Sequence, residues 1–118
     1  MITGAHTIIY AKDAAKARAF FKDVLGLPAA DAGHGWLIFG LPPSEVAAHP
    51  AEDDDHGRHV LYLMCDDIKK TVAELKAKGV KFTSEPADQR WGILATLEIP
   101  GGGEIGLYEP RHPRPPQP

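Results

Sequence analysis

The sequence contains one cysteine, Cys65, in 118 residues. A single thiol excludes an internal disulfide and any zinc site built mainly from cysteine. No apolar run approaches the ~18 residues that would cross a membrane as a helix. The opening "MITGAHTIIYAKDAAK" has no basic segment ahead of a long apolar stretch, so the expectation is a cytoplasmic protein without a secretory leader. Excess positive charge is also missing. Lys and Arg number 13 against 16 Asp and Glu, for a formal net charge of −3 and a pI near 6.0. That excludes the basic face of an ordinary nucleic-acid binder. No Ser-His-Asp arrangement is present. The one glycine run, Gly101-Gly102-Gly103, leads into strand-like sequence rather than the helix that a phosphate cradle requires.

What is present suits one small globular domain: 43% hydrophobic and 25% charged residues. Ala5 to Ala11 is short, apolar and rich in β-formers, which predicts a strand. Asp13 follows as a helix N-cap, since its carboxylate can accept from a free N–H of the first turn. In "AAKARAFFKDVLG", Ala17, Phe20, Phe21, Val24 and Leu25 share one helical face, and Gly26 is placed to end the helix. The plan then recurs. His59 to Cys65 reads as a strand, Asp66 or Asp67 as a cap, and Ile68, Val72 and Leu75 as the buried stripe of a helix ending at Gly79. His6 and His59, Asp13 and Asp66, and Gly26 and Gly79 are each 53 residues apart, whereas the helix stripes match better at 54. Such a period marks an internal repeat.

Strand-like pieces follow each helix. The first is trailed by "HGWLIFGL" and "SEVAAH", with Pro28 to Gly33 as a further short strand. The second is trailed by "KFTSEP", "WGILATLEI" and "EIGLYEP", the last two joined by a glycine turn. The acidic run Glu52 to Asp55 reads as a solvated loop. The ending "PRHPRPPQP" can form neither ladder nor helix and is expected to be extended or disordered.

On "HTIIYAKDAAKARAFFKDVLGL", "HVLYLMCDDIKKTVAELKAKGV" and "IPGGGEIGLYEP", the chain resembles the vicinal oxygen chelate superfamily of glyoxalase I, extradiol dioxygenases and bleomycin-resistance proteins. The resemblance implies an α+β fold: two βαβββ repeats forming a cupped mixed sheet with helices outside. A single domain would span residues 1–110, with repeats at about 4–52 and 57–110 and a Pro-rich tail at 111–118. It also implies a small-molecule ligand, no nucleic-acid or membrane partner, and a homodimer in which the second chain protects open strand edges.

Metal-dependent members hold a divalent ion in the cup. By resemblance His6 and His59 would be ligands, and neutral imidazole suits Fe(II), Mn(II), Ni(II) or Zn(II). The family's usual carboxylate position falls here on Gly106, with Ala47 as its counterpart in the first half. Glu104, Glu45 and His49 lie two residues from those positions and are the substitutes. Glu104 is favoured because three flexible glycines precede it. Tyr10, Trp36, Trp91, Tyr62 and Tyr108 are candidate pocket aromatics, whose faces can stack on a planar molecule. Arg90 reads as a surface residue and Cys65 as a packing one. Two functions follow. One is a metal-dependent enzyme of the glyoxalase or extradiol-dioxygenase kind, a lyase or oxidoreductase, with Glu104 assisting catalysis. The alternative is a metal-free, ligand-sequestering protein of the bleomycin-resistance kind.

Overall fold

The computed structural model describes residues 7–9, 11–45, 47, 59–90, 92–113 and 116. His6, Tyr10, His49, the run Glu52 to Asp55, and Trp91 lie outside the described residues. Helix α1 (Ala14–Ala19) runs into a π-helical turn (Phe20–Val24). A small hairpin follows, β1 (Ala29–Asp31) with β2 (Leu37–Phe39). Then come β3 (Tyr62–Met64), α2 (Ile68–Ala77), β4 (Phe82–Gln89), β5 (Gly92–Ile99) and β6 (Gly103–Pro110). The larger sheet has the order β3-β6-β5-β4, with β3 parallel to β6 and the other pairs antiparallel. The second half is thus the expected β-α-β-β-β. In the first half, Thr7 to Ile9 and Ser44, Glu45 and Ala47 are not in strands.

Both helices begin as their sequences dictate. Asp13 Oδ1 accepts from Lys16 N–H and Asp67 Oδ1 from Lys70 N–H, each at 3.1 Å. The second cap is Asp67 and not Asp66, so the two caps are 54 residues apart. The closing glycines, Gly26 (φ 68°) and Gly79 (φ 88°), remain 53 apart. The first helix therefore holds one residue more between cap and glycine. The π-helical turn absorbs it: Leu25 N–H reaches back five residues to Phe20 C=O at 3.1 Å.

The core forms where α2 and α1 lie on one face of β5 and β6. Ile68, Val72 and Leu75 from α2 and Ala17 and Phe20 from α1 meet Ala95, Leu97, Ile99, Ile105 and Leu107. Strict alternation along β5 and β6 supplies this apolar face. Leu61, Leu63 and Cys65 pack against the same cluster. A second tie comes from β6, where Glu109 Oε1 accepts from Ile68 N–H at the head of α2 at 3.0 Å. The glycine turn between β5 and β6 reaches the other helix, and Asp13 N–H donates to Gly101 C=O at 2.8 Å.

Leu97 has no exposed surface. Truncation to alanine is expected to cost about 2–5 kcal/mol in urea unfolding. Gly101→Ala should be as damaging despite adding one methyl. The residue sits at φ +72°, and a Cβ there would lie 2.6 Å from the Cβ of Asp13. A Gly101→Ala variant with an unchanged unfolding midpoint would show that the Asp13 contact does not hold α1 to the sheet.

Candidate functional site

The face of the sheet turned away from the helices is the inner face of the cup. On β6 it carries Glu104, Gly106 and Tyr108; on β5, Leu94, Thr96 and Glu98; on β3, Tyr62 and Met64. Register pairs Tyr62 with Gly106 and Met64 with Tyr108. The Tyr62 ring lies directly over Gly106: a Cβ at 106 would sit 2.5 Å from Tyr62 Cε1 and closer still to Cδ1. Tyr62 also meets Tyr108 edge to face, with ring centroids 5.7 Å apart and an interplanar angle of 87°. The position at which the family resemblance calls for a carboxylate is occupied by an aromatic ring from the neighbouring strand.

The register of the second cap bears on where His59 stands. Counting seven residues back from Asp13 gives His6, and seven back from Asp67 gives Val60. Val60 has the parity of Tyr62 and Met64 and is 55% exposed. His59 has the parity of Leu61 and Leu63, which pack on the helix side. His59 itself is exposed and outside any strand. Carried back two residues, the β3–β6 register sets Val60 beside Glu104. Glu104 directly faces Glu98 across the β5–β6 ladder. The two line an open hollow of about 510 Å³ together with Lys12, Ile99 and the glycine turn. Among the described residues no three His, Cys, Asp or Glu side chains converge where a metal could sit. Of the three expected ligands, His59 and Glu104 are described, and His59 lies outside the strand that carries Tyr62 and Met64.

Trp36 stands on the β1–β2 hairpin, 65% exposed, with the Arg18 guanidinium of α1 5.0 Å from its ring centroid. Its contact is with α1. Among the described candidates Tyr62 and Tyr108 lie on the cup face, Tyr108 at 8% exposure. Its hydroxyl donates to Glu45 Oε2 at 3.4 Å and lies 3.4 Å from Nε2 of His112. His112 Nε2 is in turn 3.3 Å from Glu45 Oε2. His112 belongs to the Pro-rich tail, where composition gives no sign of a docking residue. Arg111 precedes it, with Nη1 2.7 Å from both carboxylate oxygens of Asp88. The first residues of the tail thus contact β4, β6 and Glu45.

Cys65 is a half-buried thiol whose Sγ lies 3.6 Å from Tyr108 C=O. Burial pushes its pKa up; a hydrogen bond with Thr71 opposes this, and the negative charges of Glu109, Asp66 and Asp67 add to it. A raised pKa leaves little thiolate, so Cys65 has the character of a packing residue and not a nucleophile.

With this geometry in place, the comparisons identify the class. Residues 4–110 match the family model of the Glyoxalase/Bleomycin resistance protein/Dioxygenase superfamily, and the chain belongs to that superfamily. Among solved structures it is similar to TnmS3, an antibiotic binding protein from a Streptomyces species. The two share 24% identity over 93% of this chain and 98% of the other, with a TM-score of 0.67. It is also similar to a member of the superfamily from Sphaerobacter thermophilus, at 23% identity over 92% and 98% with a TM-score of 0.62. A lactoylglutathione lyase from Agrobacterium tumefaciens is a third, at 17% identity over 91% and 92% with a TM-score of 0.59. At these identities the likeness is one of fold. Comparison with curated proteins finds no match.

Two outcomes are expected here. Gly106→Glu should lose about 1–3 kcal/mol in denaturant unfolding, because the new side chain must expel the Tyr62 ring. Combining it with Tyr62→Ala should recover most of that loss; equal stability of the single variant and wild type would mean the ring does not occupy the position. Cys65 should alkylate slowly with iodoacetamide at neutral pH. Its folded pKa lies above the unfolded value of about 8.5, so its contribution to stability is complete below that pH and is lost as pH rises through the folded value. Urea midpoints for wild type and Cys65→Ala should therefore converge on the alkaline side; a gap that widens there would contradict the assignment.

Proposed function

We propose that this chain is a small-molecule-binding protein of the bleomycin-resistance kind, which takes a planar, largely apolar ligand in its cup without a metal. The observation that carries the reading is the Tyr62 ring lying over Gly106. An aromatic surface stands where a carboxylate ligand would be needed. The parity of Val60 supports the same reading, since it puts His59 on the parity of Leu61 and Leu63, which pack on the helix side. Tyr62, Met64, Leu94 and Tyr108 then form a floor on which a flat molecule can stack. The likeness to TnmS3, an antibiotic binding protein, agrees with it.

The chain works as a homodimer in this reading. Ile8, Val60 and Tyr62 are large apolar side chains at 62%, 55% and 39% exposure, and Ile8 and Tyr62 hold equivalent places five residues before their caps. A second chain or a bound ligand would cover them. The competing reading, a metal-dependent lyase or dioxygenase using His6, His59 and Glu104, makes the opposite demand on the same experiment.

Naphthalene binding, followed by its fluorescence, should persist in EDTA and be unaffected by His6→Ala or His59→Ala. Tyr62→Ala should weaken it by about tenfold, the loss of one aromatic contact. Binding that appears only with Ni(II), Mn(II), Fe(II) or Zn(II) and disappears in both histidine variants would replace this reading with the enzyme. Light scattering should report a dimer at micromolar concentration; a monomer would remove the second chain from the proposal.

A further inference from the structure

The contacts of His112 go beyond anchoring a tail. Its imidazole stands tilted beside the hydroxyl end of the Tyr108 ring, at a centroid distance of 6.1 Å and an interplanar angle of 37°. Its Nδ1 is 2.9 Å from Pro113 C=O, an oxygen that only accepts, so Nδ1 carries a proton. Its Nε2 then faces Glu45 Oε2 and the Tyr108 hydroxyl together. The surface beneath belongs to other elements. Tyr108 is on β6, Tyr62 stands edge-on to it from β3, and Glu45 comes from the segment after the first hairpin. Glu45 is largely buried, with 16% of its side chain exposed. A partly buried carboxylate of this kind favours hydrogen-bond donors.

We infer that Tyr62, Tyr108 and Glu45 form a seat for a planar nitrogen heteroaromatic, and that His112 fills it as a tethered stand-in until a ligand displaces it. The inference rests on the binding reading above and names the ligand's chemistry. The guest sets its ring beside that of Tyr108 and presents a ring N–H to Glu45, whose carboxylate oxygen only accepts. The host–guest polar distances are long, at 3.3–3.4 Å, so exchange sacrifices little. The tether is short: Arg111, one residue before the imidazole, pairs with Asp88 on the strand at the sheet edge. Displacement therefore needs movement only from residue 112 onward. A tethered competitor of this kind lowers the apparent affinity of a free ligand by its effective concentration.

The probe is benzimidazole, titrated by ¹H–¹⁵N NMR into wild type, His112→Ala, His112→Phe and the double variant Glu45→Gln/His112→Ala. His112→Ala should bind about tenfold more tightly than wild type, because the tethered competitor is gone. His112→Phe keeps a ring over Tyr108 and should show no such gain. The double variant should lose the gain. Naphthalene, with a similar outline and no ring nitrogen, should differ by less than about twofold between His112→Ala and the double variant, since it makes no hydrogen bond to lose. The inference is overturned if His112→Ala binds benzimidazole no better than wild type. It is also overturned if His112→Phe gains equally, or if Glu45→Gln leaves the affinity of His112→Ala unchanged. Failure of naphthalene to bind any variant counts against the cup itself, while the benzimidazole comparison judges the seat separately.

Discussion

Alternation along β6 is the constraint on which both core and site depend. Ile105 and Leu107 turn toward α2, where they bury an apolar layer with Leu97 and Ile99 of the neighbouring strand. Gly106 and Tyr108 turn the other way and form the floor of the cup. Because the side-chain period is two, the helix stripe that fixes one face fixes the other at the same time. Glu109 reinforces this by capping the head of α2 from the end of β6. Nothing in the cup can shift register without pulling Ile105 and Leu107 out of the core.

That rigidity makes a one-residue difference between the halves consequential. The first helix carries an additional residue between cap and closing glycine, and a π-helical turn takes it up locally. The caps are then 54 apart while the glycines are 53 apart. A strand slipped by one position exchanges its faces, so a histidine at 59 and a valine at 60 are not interchangeable. Val60 takes the cup-side parity, and His59 the parity of residues that pack beneath the helices.

The cup that results is aromatic and acid-edged. Tyr62 lies over Gly106 because glycine alone leaves room for a ring at that point. Tyr108 is brought to low exposure by Tyr62, Glu45 and His112, three residues from three separate stretches of chain. The described surface offers π faces from Tyr62 and Tyr108 and a partly buried carboxylate from Glu45.

The sequence alone determined the elements whose signals are local. The cap at Asp13, the stripe Ile68, Val72 and Leu75, the turn at Gly101, and the three strands that follow α2 are all visible in side-chain period and turn chemistry. So is the superfamily, because its motifs are distributed in order along the chain. The identity of the second cap was not settled by sequence, because Asp66 and Asp67 are equally good acceptors and only the folded backbone chooses between them. That Val60 shares a face with Tyr62 follows from the strand's period of two, but only the fold shows which face turns away from the helices. Tertiary structure alone decided the position of the Tyr62 ring and the meeting of Glu45, Tyr108 and His112. Those contacts join residues 44 or more apart, or a tail whose composition carries no period. Spacing along a chain reports neighbours through repeating backbone geometry, and across a sheet or from a proline-rich tail there is no such repeat to read.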